Sequence, residues 1–181
     1  MNKKNMIDLM NEETNYLFKT EQYEKAISSL LGWKALSLSH ENYEMYGISL
    51  SKLIICYEIL GDIEEELVII NELIHLLTKI INPEKNLRMA SMYLNCVNGL
   101  CKAKNYKLAY RCLTKAYSCI EELEDLSIEF YALYYNALGT YYKSIKKYEK
   151  AIEVYTEEID IFRRFDKNNY LFIVKANIDI V

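Results

Sequence analysis

One pattern of side-chain sizes recurs along the 181 residues. Its clearest copy lies within Asn136 to Phe162, where Tyr148, Ala151, Ile152, Tyr155 and Ile159 follow steps of three and four. That is the spacing of one helix face. The small Ala151 leaves room for a neighbouring helix to approach closely. Counterparts at Ala26, Glu66 and Ala109 give four equivalent positions, 40, 43 and 42 residues apart. A period near 40 with two helices per period constrains the chain to a solenoid. A single helix pair cannot bury its apolar face alone and must stack on the next.

Composition agrees with continuous helix. The chain is 51% hydrophobic, with one Pro and five Gly, so few residues break a helix. It has 17 Tyr and one Trp, Trp33. A Tyr buries its ring and keeps a hydroxyl for water or a partner. The net charge of −4 argues against a free-standing nucleic-acid binder, which shows a basic face. Basic residues do cluster at Lys102, Lys104, Lys107, Arg111 and Lys115 and again at Lys143, Lys146, Lys147 and Lys150. Both clusters surround expected turns and read as solvated faces. The five cysteines, Cys56, Cys96, Cys101, Cys112 and Cys119, are odd in number and lack C-x-x-C spacing. They read as small buried hydrophobes in a reducing compartment. Without a signal-like N-terminus or a long apolar run, the expected location is cytoplasmic, with no membrane span.

Taken in order, residues 1–19 predict a first helix with Met6, Leu9, Met10, Tyr16, Leu17 and Phe18 as its apolar contacts. Thr20 is the expected cap of a second helix carrying Tyr23, Ala26, Ile27, Leu30 and Trp33. A third helix over 41–60 ends at Gly61, which suits a left-handed helix end, and Asp62 can cap the fourth. Glu66 replaces the small residue of the other copies. A buried, unpaired carboxylate is costly, so a looser stack with Glu66 reaching solvent is expected. Asn82-Pro83 separates the fourth helix from a fifth over 84–103, and Asn105 caps the sixth. An acidic junction at 121–126 precedes helices over 127–144 and 147–164, and a ninth starts near Tyr170. The expected fold is all-α, a right-handed α-solenoid of antiparallel helix pairs within a single domain, 1–181. Its repeats span 5–39, 40–82, 83–124 and 125–166, with a partial repeat or cap over 167–181.

The copy at Tyr135, Leu138-Gly139 and Tyr142, followed by Tyr148, Ala151 and Tyr155, resembles the tetratricopeptide repeat. Other copies keep only part of it: Tyr23 and Ala26, Gly61-Asp62-Ile63, and Tyr106, Ala109 and Ala116. The standard repeat is shorter, at about 34 residues, so these copies are lengthened. In that respect the chain is similar to the peptide-binding domains of the Rap, PlcR, NprR and Rgg regulators of bacteria. That resemblance implies a cytoplasmic module in which Asn side chains on successive first helices hold an extended peptide by its backbone.

Asn95, Asn136 and Asn177 stand 41 and 41 residues apart and are the candidate peptide-binding residues. A primary amide offers donors and an acceptor, so it can pair with peptide N–H and C=O groups. Alternatively, the three make helix–helix hydrogen bonds. Lys52, at the matching place in the preceding repeat, either meets a carboxylate or stands in solvent. His40 is expected to be exposed and His75 partly buried in a helix interface.

No phosphate loop, zinc spacing or nucleophile elbow appears. No enzyme activity, cofactor or metal is therefore expected. The helix-turn-helix of peptide-responsive transcription factors is not seen ahead of the first helix. The last residues, ANIDIV, end in mid-helix, which suggests a fragment of a longer regulator. The expected function is a protein- or peptide-binding module within such a regulator. The alternative is a scaffold or oligomerisation module binding a folded partner, which leaves a homodimer open.

Overall fold

The computed structural model describes residues 3–79, 87–120 and 128–164. Their secondary structure is helical: α1 (Lys3–Lys19), α2 (Tyr23–Ser39), α3 (Tyr43–Leu60), α4 (Ile63–Lys79), α5 (Leu87–Lys102), α6 (Tyr106–Ile120), α7 (Ile128–Ser144) and α8 (Tyr148–Arg164). The all-α helical-repeat fold is thus as the periodicity requires. Two compact units divide the chain, residues 1–80 with α1–α4 and residues 81–181 with α5–α8. In the first, each helix packs on the next. In the second, α5 packs on α6 and α7 on α8, while α7 also lies against α5 and α6. The expected ninth helix, the Asn82-Pro83 break and the acidic junction at 121–126 lie outside the described residues.

The backbone repeats with the period of the side chains. Each pair of helices is joined by a turn with one residue at positive φ: Glu21, Gly61, Lys104 and Lys146. These turn residues keep the spacing of the small-residue row, each standing five before Ala26, Glu66, Ala109 or Ala151. Gly61 at φ 74° ends α3 as expected, since glycine carries no Cβ to clash in the left-handed region. Asp62 and Asn105 accept from the backbone N–H groups of Glu65 and Leu108 at 3.2 and 3.4 Å, capping α4 and α6. Thr20 does not cap α2. Its hydroxyl donates back to the Tyr16 carbonyl at 2.9 Å, and Gln22 takes the cap position. A Thr hydroxyl is short enough to reach the carbonyl four residues earlier, and that local bond competes with capping.

The buried face of each second helix starts at the small position. In α8 it runs Ala151, Val154, Tyr155, Glu158, Ile159, Phe162, and in α6 it runs Ala109, Cys112, Leu113, Ala116, Cys119, Ile120. Tyr148 and Ile152, placed on the stripe from sequence, are instead largely exposed, as are Tyr110 and Tyr117. Likewise Leu9 and Tyr16 of α1 face out while Met6 and Met10 are buried. Steps of three and four are shared by two adjacent faces of a helix, so spacing alone does not choose between them. His75 is exposed, not partly buried; the buried face of α4 passes through Leu73 and Leu77 instead. Glu66 is fully buried rather than reaching solvent. It occupies the small position at the centre of that buried face, so the helix pair closes over it.

Within the first unit, Met6, Ile7, Met10 and Met45 form a core against Trp33, Leu36 and Ile48. Within the second, Ala151, Tyr155, Ile159 and Phe162 pack against Ile128, Ala132 and Tyr142. The Tyr155 ring lies directly on Gly139: a Cβ at Gly139 would stand 2.3 Å from it. Here the glycine allows close approach of two helices. The five cysteines are buried and unbridged.

Candidate functional site

The candidate residues lie on the first helix of each pair, and each unit presents its own. In the first unit, Lys52 of α3 is half-buried. Its ammonium donates to Thr14 Oγ1 at 2.7 Å and Asn15 Oδ1 at 2.9 Å, both on α1, and stands 5.8 Å from the Phe18 ring centroid. Burial lowers its pKa from the ordinary lysine value, an effect the nearby Cys56 thiol opposes. The ammonium therefore braces α3 against α1 instead of projecting freely into solvent. Thr14 is itself fixed, donating to the Met10 carbonyl at 2.7 Å.

In the second unit, α5 and α7 pack side by side, and each carries an Asn as its ninth residue: Asn95 and Asn136. Both are half-buried. Asn95 has a partner, whereas the Asn136 amide makes no hydrogen bond among the described residues. Counted back from the turn residues Lys104 and Lys146, however, Asn95 stands nine positions away and Asn136 ten. The step from turn to turn is thus one position longer than the step from asparagine to asparagine. One residue is about 100° around a helix, so the two amides share a helix pair without strict register. Asn177 lies outside the described residues.

The turn-based register picks out another row, polar at three of its four positions, that the spacing of asparagines did not. Six positions before the turns stand Asn15, Ile55, Asn98 and Thr140. Asn15 receives Lys52, Asn98 has a partner, and Thr140 is hydrogen-bonded to Tyr155. The signal available in the sequence was the turn residue itself: counting from it, rather than from residue type, would have found this row.

The helix that carries Asn136 is tyrosine-rich. Tyr131 and Tyr135 stack at 6.5 Å, and Tyr134 meets Tyr135 edge-on at 5.7 Å. Tyr135 is hydrogen-bonded to Glu157. Burial raises the Tyr134 and Tyr135 hydroxyls above the usual tyrosine range, with Tyr117 a further cause for Tyr134 and Glu157 for Tyr135. They stay neutral and able to donate. A second row joins α6 to α7: Tyr110 meets Tyr141 at 5.7 Å and Tyr117 meets Tyr134 at 6.4 Å. The seven-residue step on each antiparallel helix makes the two contacts match. An amide without a partner can exchange hydrogen bonds with a peptide backbone, and the tyrosines of the same helix can offer rings to its side chains. Among the described residues, no group of three or more His, Cys, Asp or Glu is arranged to hold a metal, and no helix is long and apolar enough to cross a membrane.

Residues 88–164 match the family model of the tetratricopeptide repeat. That match spans less than half of the chain, and over it the chain is similar to the tetratricopeptide repeat. The match covers α5 to α8, the same helices in which Tyr155 seats on Gly139. Among solved structures, the chain is similar to the nearly identical tetratricopeptide-like repeats of a kinesin light chain homologue from Podosopora anserina. That likeness has 12% identity and a TM-score of 0.71, covering 98% of this chain and 85% of that one. It is also similar to MamA (residue 41 to the end) from Desulfovibrio magneticus RS-1, at 18% identity and a TM-score of 0.54, covering 96% and 86%. At such identities the likeness is one of fold. No curated protein matches the chain by sequence.

Proposed function

We propose that this chain is a helical-repeat binding module that takes a short, extended peptide along the first helices of its repeats. It would serve as the ligand-sensing part of a bacterial, cytoplasmic, peptide-responsive regulator, with no reaction of its own. The observation that carries the reading is Asn136: a half-buried amide, without a hydrogen-bond partner among the described residues, next in sequence to Tyr135. A peptide N–H and C=O would complete it. The lengthened repeat and its resemblance to peptide-sensing regulators support the regulatory role. Isothermal calorimetry with short extended peptides is the test. The expected result is binding to the intact chain and at least tenfold weaker binding to Asn136→Ala with unchanged circular dichroism. Equal affinity in both removes Asn136 from the site.

A scaffold role is the second reading, favoured by a specific surface that lies away from Asn136, at the turns.

A further inference from the structure

The two hairpin turns of the second unit lie side by side. The Cys101 and Ser144 side chains, at the ends of α5 and α7, are hydrogen-bonded. Tyr110, near the start of α6, meets Tyr141. This juxtaposition gathers the lysines of both turns onto one edge. Lys102, Lys104 and Lys107 come from the first turn and Lys143, Lys146 and Lys147 from the second, with Lys150 beside them. Glu149 is the only acidic residue within 101–115 and 140–150. Lys104, Lys107, Lys146 and Lys147 make no ion pair among the described residues. Lys146 to Lys150 line a cleft of about 440 Å³, and the exposed Tyr148 and Ile152 give this edge apolar surface.

Lys102 and Lys143 lie in the last turns of α5 and α7, where the backbone favours cations, but Lys107 and Lys147 stand at helix N-termini, where it does not. Helix N-termini carry partial positive charge and favour acids. In the first unit α4 obeys this, with Glu64, Glu65 and Glu66 in its first turn. In the second unit α6 has no acid there, Lys107 standing in its place, while α8 follows Lys147 and keeps one acid, Glu149, in its first turn. The left-handed turn positions are Glu21 and Gly61 in the first unit but a lysine in both turns of the second, Lys104 and Lys146, although a side chain there is strained. A lysine kept at a conformational cost in both turns, with no ion pair among the described residues, points to a use outside the fold.

The first unit carries the complement. The α3–α4 turn exposes Asp62, Glu64 and Glu65 together with Ile59, Leu60 and Ile63, each about half exposed. It is acidic and apolar where the other edge is basic and tyrosine-lined. We propose that the basic turn edge of the second unit receives the acidic α3–α4 turn of a second copy of this chain. Carboxylates of Asp62, Glu64 and Glu65 meet the lysines of Lys104 to Lys107 and Lys146 to Lys150. Leu60 and Ile63 pack against Tyr148 and Ile152. The contact joins different surfaces of the two copies, so it either closes as a pair or continues as an open chain. It depends on no part of the peptide reading.

Sedimentation velocity of the intact chain over a hundredfold concentration range tests this. Association is expected in about 50 mM salt and at least tenfold weaker in about 500 mM, because screening shortens the reach of exposed charges. Lys146→Glu/Lys147→Glu and Glu64→Lys/Glu65→Lys, each folded by circular dichroism, are expected to be monomeric alone. Mixed in equal amounts they are expected to associate again, since each then meets an opposite charge. A wild-type chain that stays monomeric at every concentration overturns the proposal. So do variants that associate as the wild type does, or a mixture that fails to restore association. A monomer that instead binds a hexaglutamate probe at the same edge replaces the second copy with a foreign acidic segment.

Discussion

A methyl group at Gly139 would enter the ring of Tyr155. The Cβ would lie 2.3 and 2.4 Å from two ring carbons, and Tyr155 is fully buried and hydrogen-bonded to Thr140, so it has little room to retreat. Overpacking of this kind costs about 1–3 kcal/mol. Gly139→Ala is expected to lower the urea midpoint accordingly, and Tyr155→Leu in the same chain to recover part of the loss. Glu158 is the second telling residue. It is 3% exposed, its Oε2 has no hydrogen-bond partner, and burial pushes its carboxyl up to about 8. The unfolded carboxyl ionises near 4.5 while the folded one keeps its proton. The contribution of Glu158 to stability is therefore full below about pH 4.5 and is lost as pH rises to about 8. The slope cannot exceed ~1.4 kcal/mol per pH unit for one proton. Glu158→Gln is expected to flatten the pH dependence of the melting temperature between about 5 and 8 and to raise it at the upper end. An unchanged slope would mean that Glu158 is ionised in the fold.

Between elements, one carboxylate ties three helices of the first unit. Glu72 of α4 pairs with Lys34 of α2 at 2.7 Å and accepts from the Tyr46 hydroxyl of α3. Burial, then Glu72 itself, raises the Tyr46 hydroxyl above the usual tyrosine range, so it remains a donor. Hydrogen bonds to charged groups contribute about 1.5–3 kcal/mol, and the partly exposed Lys34 pair adds less. Glu72→Ala is expected to destabilise the chain by ~2 kcal/mol in chemical denaturation, with Glu72→Gln losing about half as much. Nothing in the sequence pattern marks this knot, because its members belong to three helices and follow no common spacing. The turns were legible in part. Gly61-Asp62 announces a helix end, but Lys104 and Lys146 occupy the same left-handed position and resemble ordinary surface lysines. The second-helix stripe was legible as a helix face and right at Ala151, Tyr155 and Ile159, but not along its edge. Tyr148 and Ile152 satisfy the spacing, while Val154 and Glu158 satisfy the packing.

Across the whole molecule, both units are built on the same plan but differ at their edges. The first puts acids and glycine at the turn between α3 and α4, and the second puts lysines at both of its turns. A chain with a net charge of −4 thus hides two edges of opposite sign. Its thiols report on the integrity of both units together. Cys56 lies in the first unit and the other four in the second, all buried. Burial raises Cys56 to about 11 and Cys112 to about 12. A thiol must ionise to react, so an aromatic disulfide reagent at mildly alkaline pH is expected to label almost none of the native protein and all five cysteines in denaturant. Rapid labelling of one cysteine in the native state would locate a unit that opens on its own.

The sequence by itself determined the all-helical repeat, its period and the places where helices pair. Those depend on local propensity and on a spacing that any stacked helix pair must keep. It also marked Gly139 and Tyr155 as parts of the resemblance to the tetratricopeptide repeat, while their contact came from the structure. Only the tertiary structure decided which of two adjacent helix faces is buried, that Glu66 and Glu158 go inside, and that Lys52 is held by α1. It also decided that the asparagines of α5 and α7 stand one residue out of register. Each of these depends on what another helix presents across the interface, and a one-residue difference in repeat length turns a side chain by about 100° without leaving a mark on the pattern of spacing.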